Sequence, residues 1–261
     1  MSRSVGFLIF AGFLAVACAT SSTGRSQLKL FPEPEMAKMG VAAFDKLKSE
    51  MKVSSNGTLK KRARCVVDQL APQVGGEYAT MKWEVTVFDD DSPNAFALPG
   101  GKIGVHSGLF QVAKNQHQLA AVMGHEIAHV LEGHSNERVS TQYATQSGIA
   151  LVGVISGGSS PAQQELLSML GAGAIVLPFS RAQESEADQV GLMLMARAGF
   201  DPAESIPLWE NMSAAGGGSP PEFLSTHPSH GTRIANLQSW QTEANRLRQQ
   251  AKSRGLRPSC Y

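Results

Sequence analysis

The sequence predicts an α+β fold, mainly helical with a small β-sheet, and three patterns predict it. Asn115 to Glu132 and Ser180 to Ala198 repeat apolar residues at three- and four-residue intervals, the period of a helix with one buried face. Trp83, Val85 and Val87 alternate with Lys82, Glu84 and Thr86 as in a half-buried strand, and Ile103 and Val105 repeat the alternation after Gly100-Gly101. Ile234, Leu237, Trp240, Ala244 and Leu247 form another helical stripe that docks on the core. With 261 residues, 42% hydrophobic, and a net charge of +1, the chain can bury one substantial core and has no charge excess pointing to nucleic acid.

Taken in order, the chain begins with Arg3 before Val5 to Ala17, an uncharged run too short for an ordinary membrane span and suited to a secretory signal. Ala15-Val16-Ala17-Cys18 resembles a lipobox with Ala15 where Leu is usual, so residues 1–17 are expected to be a lipoprotein signal and Cys18 the lipidated N-terminus. Ala15-Val16-Ala17 and Ala17-Cys18-Ala19 also read as cleavage sites, which leaves a simply secreted or soluble periplasmic form open. Ala19, with no Asp at that position, favours the outer membrane. The expectation is therefore a periplasmic lipoprotein anchored to the outer membrane, with residues 18–30 as a Ser/Thr/Gly linker and 31–261 as the domain.

An early helix carries Lys60, Lys61, Arg62 and Arg64, read as a solvated face. Once Cys18 is set aside, Cys65 and Cys260 remain as a pair expected to form a disulfide in an oxidising compartment, with two free buried thiols as the alternative. Such a bridge closes a very long loop and constrains the unfolded chain by about 5 kcal/mol. Between the two predicted strands lies Asn94 to Leu98, expected at the sheet edge.

The helix from Asn115, with Gly133 as its stop, carries His125-Glu126-Ile127-Ala128-His129. A helix turns once in about 3.6 residues, so both imidazoles share a face and can hold one ion, while Glu126 beside them can take a proton from water. Inward-facing His and Glu would be costly in a core unless a metal or partners satisfied them. The spacing therefore points to a zinc hydrolase. Two imidazoles leave a tetrahedral site one protein ligand short when the fourth position is kept for water. The helix opened by Ser180-Arg181-Ala182-Gln183, which resembles a capping box, supplies Glu184 and Asp188 on one face. One can bind the metal and the other hydrogen-bond a ligand imidazole. Glu186 points elsewhere, and His134, five residues after His129, is rotated off the ligand face and expected to be structural. Between these helices, Val139 to Leu177 is poor in charge; it is expected to form a helical hairpin over the site, with membrane contact as the alternative.

Three segments carry a family resemblance: His125 to Val130 with His134, Ser180 to Asp188, and Asn94-Ala95-Phe96-Ala97-Leu98-Pro99-Gly100-Gly101. From about Phe31 to Leu247 they resemble the HtpX and CAAX-prenyl-protease type of zinc metallopeptidase, a gluzincin family, and within it the periplasmic lipoprotein branch of YggG-like and BepA-like peptidases. The resemblance implies a zincin-like domain with one zinc ion per chain. It implies His125, His129 and Glu184 as ligands, Glu126 as catalytic base, and Asp188 as the carboxylate behind a ligand. Ser225-Thr226-His227-Pro228, followed by Arg233-Ile234, is similar to the family's late His-Pro segment. His227 is the candidate donor for the oxyanion, with Arg233 as alternative. The Gly216 to Pro221 loop could also let His227 swing onto the zinc and block it. Asn94, Ala95, Phe96 and Ala97 are the candidate edge against which an extended substrate is held.

The expected function is zinc-dependent endopeptidase action on misfolded or misassembled envelope proteins in the periplasm. The alternatives are a chaperone-like outer-membrane assembly factor using the same groove with little cleavage, and a zinc domain that has lost proteolysis, against which the intact Glu126 argues. Expected partners are protein or peptide substrates, the membrane through the lipid, and outer-membrane assembly machinery.

Overall fold

The computed structural model describes residues 18–147, 178–215, 222–227 and 231–261. The expected signal at residues 1–17, most of the Val139 to Leu177 stretch expected to form a hairpin, and the Gly216 to Pro221 segment lie outside the described residues.

Residues expected to be linker form an antiparallel hairpin of β1 (Cys18–Thr20) and β2 (Ser26–Leu28), turned at Gly24 with φ +90°. Its Ser and Thr side chains, which suggest a solvated tether by composition, find carboxylate partners on the domain. Helix α1 (Glu33–Glu50) starts with Pro34 and acidic residues in its first turn, where a missing N–H and negative charge are both tolerated. It buries Phe44 against Phe88 and Phe96 beneath the sheet. Helix α2 (Gly57–Leu70) is capped by Asn56 and buries Ala63, Val66, Val67 and Leu70, while Lys60, Lys61 and Arg64 stay exposed.

The sheet comprises β3 (Glu84–Phe88), β4 (Ala95–Leu98) and β5 (Lys102–His106) in the order β3-β5-β4. Strands β4 and β5 are antiparallel, with Ala97 opposite Ile103, joined through Gly100 and Gly101 at φ +81° and +74°, a region costly for other residues. Strand β3 pairs parallel with the other side of β5, Val85 opposite Ile103, so β4 is an edge.

A short helix α3 (Leu109–Val112) leads to α4 (Gln116–Leu131), whose N-cap Asn115 accepts from the amides of His117 and Gln118. Gly133, at φ +64°, ends that helix and lets α5 (His134–Ser147) leave in a new direction. Helix α6 (Arg181–Arg197) opens with a complete capping box between Ser180 and Gln183. It packs across α4 at Gly124 and Gly191. Helices α7 (Ser205–Ala214), α8 (Glu222–Thr226) and α9 (Arg233–Ser253) close the far side, burying Leu208, Trp209, Phe223, Leu237 and Ala244 in the core shared with α4. Cys65 and Cys260 are bonded, with their Cα atoms 5.6 Å apart, which fastens the chain end to α2. No helix among the described residues is long and apolar enough to cross a membrane.

Candidate metal centre

The crossing of α4 and α6 brings the predicted ligands together. His125 Nε2 and His129 Nε2 lie 3.0 Å apart. Glu184, wholly buried, places Oε2 3.4 Å from the first and Oε1 3.4 Å from the second. A tetrahedral zinc with bonds of about 2.0–2.1 Å separates its ligand atoms by about 3.4 Å, so the spacing fits this ion.

The hydrogen bonding behind the imidazoles sharpens the fit. His125 Nδ1 is 2.9 Å from Asp188 Oδ1, and as Asp188 is a carboxylate the proton belongs on that nitrogen. His129 Nδ1 is 2.8 Å from His134 Nδ1, whose Nε2 is 2.9 Å from Glu186 Oε2. The carboxylate again sets the direction: His134 donates from Nε2, accepts at Nδ1, and His129 donates from Nδ1. Both Nε2 atoms then present lone pairs to the same buried point, an arrangement a cation satisfies and a hydrogen bond between them does not.

The electrostatics agree. Burial lowers His125, but the Glu184 and Asp188 carboxylates outweigh it and push its pKa up to about 9: this site attracts one positive charge. His129 is driven well below its ordinary value, chiefly by burial. Burial opposes ionisation of Glu184, yet the imidazoles of His227 and His125 hold it well below the usual carboxylate range.

Arg233, 2% exposed, sits on the Nδ1 side of His125. Its Nη2 donates to Asp188 Oδ1 at 2.7 Å and to Glu184 Oε2 at 3.2 Å, and its guanidinium lies over Trp209, 3.4 Å from the ring centre. That places it behind the ligands, as a clamp on two buried carboxylates.

Glu126 lies on the other side. Its Oε2 accepts the Ala97 backbone N–H at 3.1 Å, while Oε1 has no hydrogen-bond partner among the described residues and faces His227 Nε2 at 3.5 Å. Burial, the main influence, raises its pKa. Asn94 to Leu98 line one cleft with Glu126, Arg138, Phe179, Thr226 and His227. The edge segment, the carboxylate and the late His therefore share one wall.

His227 comes closer to the ligands than an oxyanion donor alone requires. Its Nδ1 is 3.0 Å from Glu184 Oε1 and 3.3 Å from His125 Nε2, and the four ligand atoms of His125, His129, Glu184 and His227 lie within 4.8 Å of one another. Phe223 stacks on the His227 ring with centres 4.3 Å apart.

Sequence reasoning missed the connection through His134, because it oriented that residue by its five-residue offset from His129 on one helix although Gly133 ends α4 between them. The break there sends His134 back toward His129 from a separate helix. Glu186 does leave the ligand face, as expected, and reaches His134 instead.

A model of Peptidase family M48 matches residues 58–241. The chain is 42% identical over 166 residues to the mitochondrial metalloendopeptidase OMA1 of Schizosaccharomyces pombe, covering 63% of this chain and 48% of that one. It is 35% identical over 243 residues to the mitochondrial metalloendopeptidase OMA1 of Danio rerio, covering 87% and 50%. To the beta-barrel assembly-enhancing protease of Escherichia coli it is 33% identical over 170 residues, covering 62% and 34%. The chain spans about half the length of the OMA1 relatives it matches. These likenesses correct the expected localisation: the relatives with the higher identities carry a mitochondrial name, which overturns a periplasmic lipoprotein at the outer membrane. They also leave the resemblance at the level of the family, without the periplasmic branch.

Proposed function

Since the chain belongs to peptidase family M48, we propose that it is a zinc-dependent endopeptidase in which His125, His129 and Glu184 hold one zinc ion and Glu126 is the catalytic base. The observation that carries this reading is the convergence of two lone-pair nitrogens and a buried carboxylate beside Glu126, whose Oε1 has no hydrogen-bond partner among the described residues and faces His227. When bound, zinc supplies a Lewis acid that polarises a peptide carbonyl and acidifies water.

The protein supplies position and proton transfer. Glu126, with Oε2 tied to the backbone of Ala97, takes the water's proton at Oε1 and returns it to the leaving amine. The raised pKa that burial gives it suits both halves of that task. Asp188 holds His125 and Arg233 holds Asp188 and Glu184, so the ligand set is prearranged. Substrate lies extended along β4, whose Ala97 N–H points off the edge into the cleft that also contains Glu126. His227, within coordinating reach in this arrangement, closes the ion off at rest and moves aside for substrate.

The substrates are proteins. The Escherichia coli relative is named for enhancing β-barrel assembly, and a client-holding role for the same groove is the second reading, supported by the placement of the edge strand along the cleft. Metal content of the purified protein and casein hydrolysis with and without a chelator test the first. Stoichiometric zinc with chelator-sensitive cleavage is expected; zinc-free protein or chelator-resistant cleavage refutes it.

A further inference from the structure

The two imidazole ligands are held by different means. His125 is backed directly by Asp188, whereas His129 is backed by a second imidazole, His134, which is wholly buried and leans on Glu186. Glu186 is itself 4% exposed and sits on α6 two residues after Glu184, turned away from the ligand set. Its carboxylate is held from the other end of the chain. Arg25 donates Nε and Nη2 to Glu186 Oε2 at 3.0 and 2.8 Å. The hydroxyls of Ser21 and Thr23 donate to Oε1. Arg25 also donates Nη1 and Nη2 to the two carboxylate oxygens of Glu137 on α5 at 2.5 and 2.7 Å, and Ser22 donates both its amide and its hydroxyl to Glu132.

We infer that the N-terminal hairpin is part of the metal centre: Arg25 fixes Glu186, Glu186 fixes His134, and His134 fixes the tautomer and orientation of His129. His134, Glu186 and Arg25 are positioning residues. The chain of donors runs one way, from His129 Nδ1 to His134 Nδ1 and from His134 Nε2 to Glu186, and each link is needed to keep the His129 lone pair on Nε2, where the ion is held. Removing the carboxylate frees His134 to present a proton toward His129, which turns the wrong nitrogen of the ligand into the acceptor. Removing Arg25 leaves a buried carboxylate without the two guanidinium N–H groups that converge on Oε2, and the anchor loses its geometry.

The inference rests on the zinc reading above, and the test separates the two. Zinc affinity is measured by competition with a chelating indicator, and the visible spectrum of the cobalt-substituted protein is recorded, for wild type, His134→Ala, His134→Asn, Glu186→Gln and Arg25→Ala. His134→Ala is expected to weaken zinc by about 10- to 100-fold, the range for partners that orient ligand imidazoles. Asparagine can put an acceptor where His134 Nδ1 stands, so His134→Asn should recover part of that loss. Glu186→Gln and Arg25→Ala should weaken zinc in the same direction and alter the cobalt bands, which a merely structural role would leave alone. Arg25→Ala lies outside the core and carries the test if His134→Ala does not fold. Folded Arg25→Ala and Glu186→Gln proteins that bind zinc within about twofold of wild type, with the same cobalt spectrum, overturn the inference. Wild-type protein that takes up no zinc overturns the zinc reading and the inference with it.

Discussion

Gly124 of α4 and Gly191 of α6 face each other backbone to backbone: a Cβ on Gly191 would fall 2.7 Å from the Gly124 carbonyl carbon and 2.7 Å from the His125 nitrogen. The two helices approach this closely because neither carries a side chain there, and the approach sets the reach from Glu184 and Asp188 to His125. Gly191→Ala must therefore push α6 outward. We expect a stability loss of about 1–3 kcal/mol in urea unfolding and a larger fractional loss of zinc affinity than of stability. Unchanged zinc affinity in folded Gly191→Ala would show that the ligand geometry does not depend on this contact.

Glu126→Gln removes the proton carrier but keeps an acceptor for the Ala97 amide. Peptide cleavage should fall by about 10²- to 10⁴-fold with zinc content unchanged. Client binding should survive, so the same variant measures how much of the protein's action is holding and how much is cutting. Retention of cleavage near the wild-type rate would remove Glu126 from the base role.

His227→Ala opens the side of the centre that faces Glu126. If the unblocked form is about 10% populated at rest, removing the ring raises basal casein cleavage about tenfold. A fall in turnover with zinc still bound would instead make His227 a substrate-contacting group.

Acid should loosen the N-terminal hairpin. Burial alone would raise Glu186, but hydrogen bonds from His134, Ser21, Thr23 and Arg25 outweigh it and hold the carboxyl well below its ordinary 4.5. The unfolded chain therefore takes up the proton first. The stability this group contributes is complete above its unfolded value and drains away as the pH falls below about 4.5 toward the folded value. Thermal unfolding followed between about pH 6 and pH 3 should show a steeper decline for wild type than for Glu186→Gln. Parallel curves would show that the carboxylate is not linked to folding.

Much of this centre was legible in the sequence. The spacing of His125 and His129, the Asn115 cap and the Ser180 box located two helices and their facing residues, because each depends on local periodicity and hydrogen bonding. Glu184 and Asp188 were narrowed to a pair by the same turn geometry. The parts that were not legible depend on long-range placement. The parallel pairing of β3 with β5 leaves no local mark. The Gly124 and Gly191 contact reads as two ordinary glycines until the helices are crossed. Ser21, Thr23 and Arg25 look like a solvated tether because their partners, Glu186 and Glu137, lie more than a hundred residues away. Localisation was misjudged for a different reason: a short apolar leader followed by Cys18 fits an export signal by composition, and composition does not distinguish the destinations of related chains.

The residues that brace this cluster lie far apart in the sequence, from Arg25 in the turn of the N-terminal hairpin to Arg233 at the start of α9. A ribosome that has released only the stretch through α6 has delivered His125, His129 and Glu184, yet Glu184 and Asp188 still lack their shared guanidinium. A nascent chain therefore lacks the clamp on these two buried carboxylates until the residues around Arg233 have left the ribosome.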